Sequence, residues 1–269
     1  MLRMVTTALV VSVAMMQAAS AAKLPESGMV QKGALTYGVA ATFAPFEFQK
    51  DGKLTGFDID FINAIAKKLD AEPKAMNMEF KGLIPALQGK RLDIINSAMY
   101  INDKRSEQVD FVPYMKIGNR VVVLKGNPSK IIGRDESICG KTLAVTLGGI
   151  EETQARVDNK KCQADGKKPI NVLTLPTAQD SVLTLRQGRA DALYNSTPGV
   201  AKLFAEVPDT FETAGKEFEA NTSIGIATRK GDTALQTSLK KAIQEVVADG
   251  NYARLLKKYD LPASVSIFK

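Results

Sequence analysis

The chain has no histidine and only two cysteines among its 269 residues. Without histidine, the commonest general base and the commonest zinc ligand are both missing. No Ser-based triad has partners to draw on, and no metal constellation can be assembled. The sequence therefore implies no metal and no cofactor. Long basic runs and basic–aromatic interleaving are also absent. The 36 Lys and Arg are scattered among 29 Asp and Glu, giving a formal net charge of +7. That pattern describes a basic surface in water and excludes nucleic acid as a partner. No apolar run reaches the roughly 20 residues that a membrane-spanning helix needs.

The first residues carry a different signal. Arg3 is the only charge before Lys23, and the run from Met4 to Met16 is nearly uncharged and rich in Ala, Val, Leu and Met. Small residues follow from Ala18 to Ala22. A short basic start, an apolar stretch and an Ala-x-Ala site read as a secretory signal peptide over residues 1–22, cleaved after Ala21 or Ala22. No cysteine lies near that junction to take a lipid. A periplasmic, soluble protein of about 247 residues is expected, long enough for two cores.

Cys139 and Cys162 stand 23 positions apart. In an exported chain the even count favours one disulfide over a metal pair or two free thiols. Closing such a loop would add roughly 3 kcal/mol of stability on the chain-entropy model.

Strand-like and helix-like stretches alternate along the mature chain. Strands are expected at Leu35–Ala40, Ala75–Phe80 and Leu92–Ser97. Helices are expected at Asp58–Leu69, with Asp58 as N-cap, and at Leu83–Gln88. The grammar restarts after the turn-rich Lys125-Gly126-Asn127-Pro128. Strands then fall at 142–146, 170–173 and 190–194, with helices at 151–159 and 179–187. A strand over 223–228 and a periodic helix over 232–248 close the chain. Repeated β–α–β units imply an α/β fold with largely parallel sheets flanked by helices.

Certain segments carry a family likeness. They are Thr42-Phe43-Ala44-Pro45-Phe46-Glu47-Phe48, Gly56-Phe57-Asp58-Ile59-Asp60, Gly82-Leu83-Ile84-Pro85-Ala86-Leu87-Gln88, Leu92-Asp93-Ile94-Ile95, Asp103-Lys104-Arg105, Val109-Asp110-Phe111 and Gly188-Arg189-Ala190-Asp191-Ala192. In this order, over about residues 33–260, the chain resembles the bacterial extracellular solute-binding proteins of family 3. These are periplasmic receptors of polar amino-acid and opine ABC importers. The resemblance implies a type II periplasmic-binding-protein fold, with two lobes, each a mixed sheet flanked by helices, joined by two hinge strands. Lobe 1 would be 23–117 plus 221–269, and lobe 2 would be 118–220. The expected partners are a small carboxylate-bearing ligand and a membrane permease, and the expected state is a monomer.

The resemblance also implies a ligand cleft. Arg105 falls where the family holds the ligand carboxylate, and a guanidinium fork suits that task. We expect it in an open, wet cleft rather than in the core. Phe43 and Phe80 fall at aromatic or apolar cleft positions, whereas Phe46 and Phe57 read as core. Gly148 and Gly149 precede a helix start whose N–H groups would give the carboxylate a second hold. Tyr100, Ile150 and Ser196 depart from the family, which usually carries Thr or Ser, Thr, and Asp at these positions. Without that Asp, either Glu151, Glu47 or the Ala98 carbonyl replaces it, or the ligand lacks a free ammonium. Ala40 lacks the Asp of some cationic-amino-acid receptors. An enzyme resembling cyclohexadienyl dehydratases, with Glu151 as general acid, is the alternative reading.

Overall fold

The computed structural model describes residues 22–268; the signal peptide expected over 1–22 lies outside the described residues apart from Ala22. In chain order the first elements are β1 (Ala34–Val39), β2 (Thr42–Phe43), β3 (Glu47–Lys50), β4 (Lys53–Thr55), α1 (Phe57–Lys68), β5 (Glu72–Asn77), α2 (Leu83–Gln88), β6 (Ile94–Ile95) and α3 (Asp103–Ser106). A long strand follows, β7 (Val109–Leu124). Then come β8 (Thr142–Thr146), α4 (Ile150–Ala164), β9 (Asn171–Leu175), α5 (Ala178–Arg186), β10 (Ala192–Ser196) and α6 (Thr197–Glu206). The second long strand is β11 (Phe211–Arg229), and α7 (Thr233–Ala248) and α8 (Asn251–Lys258) complete the described chain.

Eight strands form one mixed sheet in the order β5-β1-β6-β11-β7-β10-β8-β9. Its centre is the antiparallel β7–β11 pair, which runs from Val109↔Arg229 to Leu124↔Phe211. Register shifts interrupt this pair between Ala214 and Thr222 and again between Ile224 and Gly225. β6 joins β11 at Ala227 and Thr228, whereas β10 joins β7 at Asn119 to Val122. Two parallel triplets, β5-β1-β6 and β10-β8-β9, therefore hang from opposite ends of a two-stranded ribbon. Three short strands, β2, β3 and β4, form a separate antiparallel sheet.

The apolar cores divide in the same way. Two clusters of buried side chains draw on 22–117 and 224–265, and two others on 121–214. Ile150 is the exception, packing from α4 into the first group. Phe46 and Phe57 are wholly buried there. The last long helix turns Leu235, Leu239, Ile243 and Val246 inward at helical spacing. Cys139 and Cys162 form a disulfide, which ties the turn at Glu136–Ile138 to the last turn of α4.

The cap of α1 differs from expectation. Gly56 holds the N-cap position without a side-chain bond, and Asp58 lies inside the helix, wholly buried. Its carboxylate is engaged elsewhere, accepting the Ala98 N–H at 2.7 Å and the Tyr114 hydroxyl at 2.7 Å. A tertiary partner outcompetes the local cap.

Candidate functional site

The parallel strands point their C-terminal ends at one another across the ribbon, where α/β sheets place ligands. Between them lies a concave pocket of the kind that holds small molecules. Residues just beyond β1 and β6 line it, Ala40, Ser97 and Ala98, as do Thr146 and Asn195 at the ends of β8 and β10. Phe43, Phe80, Tyr100, Gly149, Ile150 and Glu151 also line it. Arg105 and Gly148 sit on the adjoining surface, which shares Phe80, Gly149 and Ile150 with the pocket.

Arg105 is set by its own short helix. The Asn102 side chain caps α3 by accepting the Arg105 N–H at 2.9 Å. The guanidinium then donates to the Tyr100 carbonyl at 2.6 Å and to the Gly148 carbonyl at 2.9 Å. The second bond crosses from one side of the pocket to the other. The Phe80 ring lies 5.3 Å from the guanidinium carbon, within cation–π range. Arg105 is only 7% exposed, so the open, wet setting expected from sequence is corrected: three neighbours enclose the charge. Burial lowers its pKa to about 10, and the Glu151 carboxylate opposes that fall.

Two sequence expectations about backbone and hydroxyl groups are also corrected. Neither glycine N–H before α4 is free: Gly148 donates to Glu152 Oε2 at 2.7 Å, and Gly149 to the Thr146 carbonyl at 2.9 Å. Gly148 contributes its carbonyl instead. Ser196 is wholly buried and is not among the lining residues, because its hydroxyl caps α6 by accepting the Gly199 N–H at 3.1 Å. Its neighbour Asn195 takes the lining position.

Tyr100 directs its hydroxyl to Asn119 Oδ1 at 3.0 Å, which fixes the ring against β7. Ala98 has a left-handed φ of 39°, a conformation that costs a non-glycine residue on the order of 1–3 kcal/mol. Asp58 holds that turn in place through the Ala98 N–H. Glu47 lies beside Asp58, fully enclosed, with Oε1 accepting the Ser97 hydroxyl at 2.9 Å. Burial, with the Asp58 charge next in order, pushes the Glu47 carboxyl well above its usual range. No cation pairs with either acid among the described residues, so the two favour a shared proton.

Glu151, second residue of α4, is 8% exposed. Burial raises its pKa to about 7, against the pull of its own N–H and of Arg105. Gly149 makes the space for it: a Cβ at that position would stand 2.7 Å from Glu151 Oε2.

The sequence reading missed Thr146, Ser181, Tyr194 and Asn195 as lining residues. Two of them end parallel strands, and the rule for strand C-termini was the signal that could have found them.

The model of the bacterial extracellular solute-binding proteins, family 3, matches residues 35–262. The chain belongs to that family. A "Probable histidine-binding protein" of Campylobacter jejuni subsp. jejuni is 35% identical, over 84% of this chain and 85% of its own length. Among solved structures, an ancestral arginine-binding protein bound to arginine shares 35% identity at a TM-score of 0.77, covering 85% of this chain and 98% of that one. An ancestral amino-acid-binding protein described as a precursor of cyclohexadienyl dehydratase shares 31% identity at a TM-score of 0.75, covering 84% and 95%. The chain is thus a solute-binding protein of the type II periplasmic fold.

Proposed function

We propose that this solute-binding protein is the periplasmic substrate-binding component of an ABC importer. It takes a small carboxylate-bearing solute, an amino acid or amino-acid derivative, by closing two lobes around it. The lobes are 23–117 with 221–269, and 118–220, and β7 and β11 are the hinge strands. The observation that carries the reading is the pocket lined from both sides of this ribbon, with the Arg105 guanidinium at its edge. The carboxylate would take the place of one or both carbonyl acceptors on the guanidinium fork. Phe43 and Phe80 would cover the remainder of the solute, and Tyr100, Ile150 and Glu151 would complete the site. The protein is exported through cleavage after Ala21 or Ala22, acts as a monomer, and docks with a membrane permease. The related proteins named for histidine and arginine binding support the amino-acid class.

A thermal-shift screen of amino acids, opines, betaines and aromatic acids tests this directly. A binder stabilises only the native state, so the midpoint rises with its concentration. Small-angle scattering with the best binder should then give a smaller radius of gyration. A flat screen across all four classes would overturn the reading.

One observation favours a second reading. A buried carboxyl whose pKa is about 7, facing a pocket, has the properties of a general acid. The likeness to a dehydratase precursor gives that chemistry a context. Turnover of prephenate or arogenate by the purified protein would establish it, and its absence leaves the receptor role alone.

A further inference from the structure

Far from the pocket, the segment that follows the expected leader is built into lobe 1. Ala22 is 3% exposed and packs with the core there. Its backbone N–H donates to Glu245 Oε1 on α7 at 3.0 Å. The residues after it are fastened to the same lobe. Leu24 donates to the Leu69 carbonyl at 3.4 Å, and Val30 to Asp93 Oδ1 at 2.7 Å. The Gly28 carbonyl accepts from the Arg229 guanidinium at 3.0 Å.

Glu245 stands in the last turn of α7, an unfavourable place for a carboxylate. The carbonyl end of a helix carries partial negative charge, and cations suit it. The last turn of α7 holds no basic residue. Of the two acids at this end, Asp249 is paired with Lys68 at 2.7 Å. Glu245 is half-buried, and among the described residues no Lys or Arg nitrogen lies within 4 Å of its carboxylate. What it holds is the Ala22 nitrogen.

We propose that the leader is removed at the Ala21–Ala22 bond, and that the new α-ammonium of Ala22 is the counter-ion of Glu245. This rests on the export part of the function proposed above and names the processing bond. Hydrolysis by a signal-processing endopeptidase adds water across that amide. Ala21 leaves with the carboxylate, and the Ala22 nitrogen takes a proton. An α-amine, with an ordinary pKa of about 7.7–8.0, is mostly charged at pH 7. A bond from a neutral N–H to Glu245 then becomes an ammonium–carboxylate pair with the nitrogen already in place. The same charge faces the carbonyl end of α7. Ala19-Ser20-Ala21 supplies the small residues expected ahead of the cut. A cut one bond later would discard the buried Ala22 methyl and leave Glu245 without its donor. Processing thus adds to the fold a charge that the precursor lacks at this point.

The test starts from the full precursor, expressed with export, and reads the intact mass of the protein recovered from the periplasm. A chain running from Ala22 to Lys269 is expected. Thermal unfolding then compares Glu245→Gln, a Gly-Ser insertion between Ala21 and Ala22, and the two combined. The insertion returns the Ala22 nitrogen to a peptide N–H. In the processed protein, Glu245→Gln should lower Tm by about 1–3 °C, the size expected of a partly exposed ion pair in a chain of this length. The insertion should lower the wild-type Tm by a similar amount, and that of Glu245→Gln by less than about 1 °C. About 1 M NaCl should shrink the difference. A first residue other than Ala22, or an insertion that costs wild type and Glu245→Gln equally, overturns the pairing and leaves export standing. An unprocessed precursor overturns both, and the thermal-shift screen judges the receptor role separately.

Discussion

Removing the Arg105 guanidinium should weaken ligand binding far more than it weakens the fold. Arg105→Ala deletes two hydrogen bonds from a charged donor, to the Tyr100 and Gly148 carbonyls, and the contact with the Phe80 ring. Hydrogen bonds to charged groups contribute about 1.5–3 kcal/mol each. The substitution also removes a buried cation, whose desolvation costs several kcal/mol. The lowering of the Arg105 pKa to about 10 records that cost. The two effects oppose, so stability without added ligand should change by roughly 1–2 kcal/mol in either direction. In a chain of this size that is a few degrees in Tm. Binding has no such offset. A ligand carboxylate left desolvated and short of donors loses about 2–5 kcal/mol. At about 1.4 kcal/mol per tenfold, Kd should rise on the order of 10²-fold or more. Arg105→Lys should recover only part of this, since the ammonium keeps the charge and loses the planar fork. Calorimetry on both variants, with the best binder from the thermal-shift screen, measures the difference. An Arg105→Ala affinity within about threefold of wild type would refute the reasoning and remove the carboxylate from the proposed ligand.

Three further outcomes are expected. Replacing both Cys139 and Cys162 by serine should cost about 3 kcal/mol, seen as a lower guanidinium midpoint; an unchanged midpoint would mean that the bridge does not constrain the unfolded chain. Gly148→Ala should weaken binding, because the new Cβ would stand 3.2 Å from the Lys81 Cα across the pocket and closure must give there, while its φ of +80° should lower stability by about 1–2 kcal/mol. Scattering should also show a larger radius for the ligand-saturated variant, and wild-type affinity would exclude Gly148 from the closing contact. Glu151→Gln should stabilise the protein measured without added ligand, by an amount that grows as pH rises above about 4.5 and is complete above neutrality. The folded carboxyl titrates at about 7 against an ordinary 4.5, so the unfolded chain releases its proton first and wild-type stability falls as pH rises between those values. The difference amounts to at most roughly 3 kcal/mol. Tm should therefore match at pH 4.5 and favour the variant at pH 8; equal values at both would remove the burial argument.

Much of the local structure was legible because it follows from spacing. α2 and β8 fall where the apolar pattern put them, at Leu83–Gln88 and Thr142–Thr146. The helix over 233–248 carries the inward stripe that its periodicity required. The two long strands were not legible as such. Val109–Leu124 mixes apolar residues with Asp110, Pro113, Lys116, Asn119 and Arg120, and its burial alternates only in part. The reason is tertiary: the strand passes from one core, past the register shifts of the ribbon, into another, so its surroundings change along its length. The C-terminal half of β11 was read as a strand, and its run through the register shifts was not.

For the site, residue types and family were readable from the chain alone, and with them the pairing of an arginine with aromatic and glycine neighbours. The sequence also favoured the Cys139–Cys162 disulfide that the structure contains, since an even pair of cysteines can close one bridge. What each side chain does depends on the packing around it. Asp58 looked like a helix cap and is spent on Ala98 and Tyr114. Ser196 looked like a ligand contact and is spent on its own helix. Glu151 was one of several candidate acids, and the structure places it in the buried wall of the pocket under the influence of Arg105. Residue identity sets which hydrogen bonds and charges are possible. Burial and competition among neighbours decide which remain free, and both depend on segments far apart in the chain.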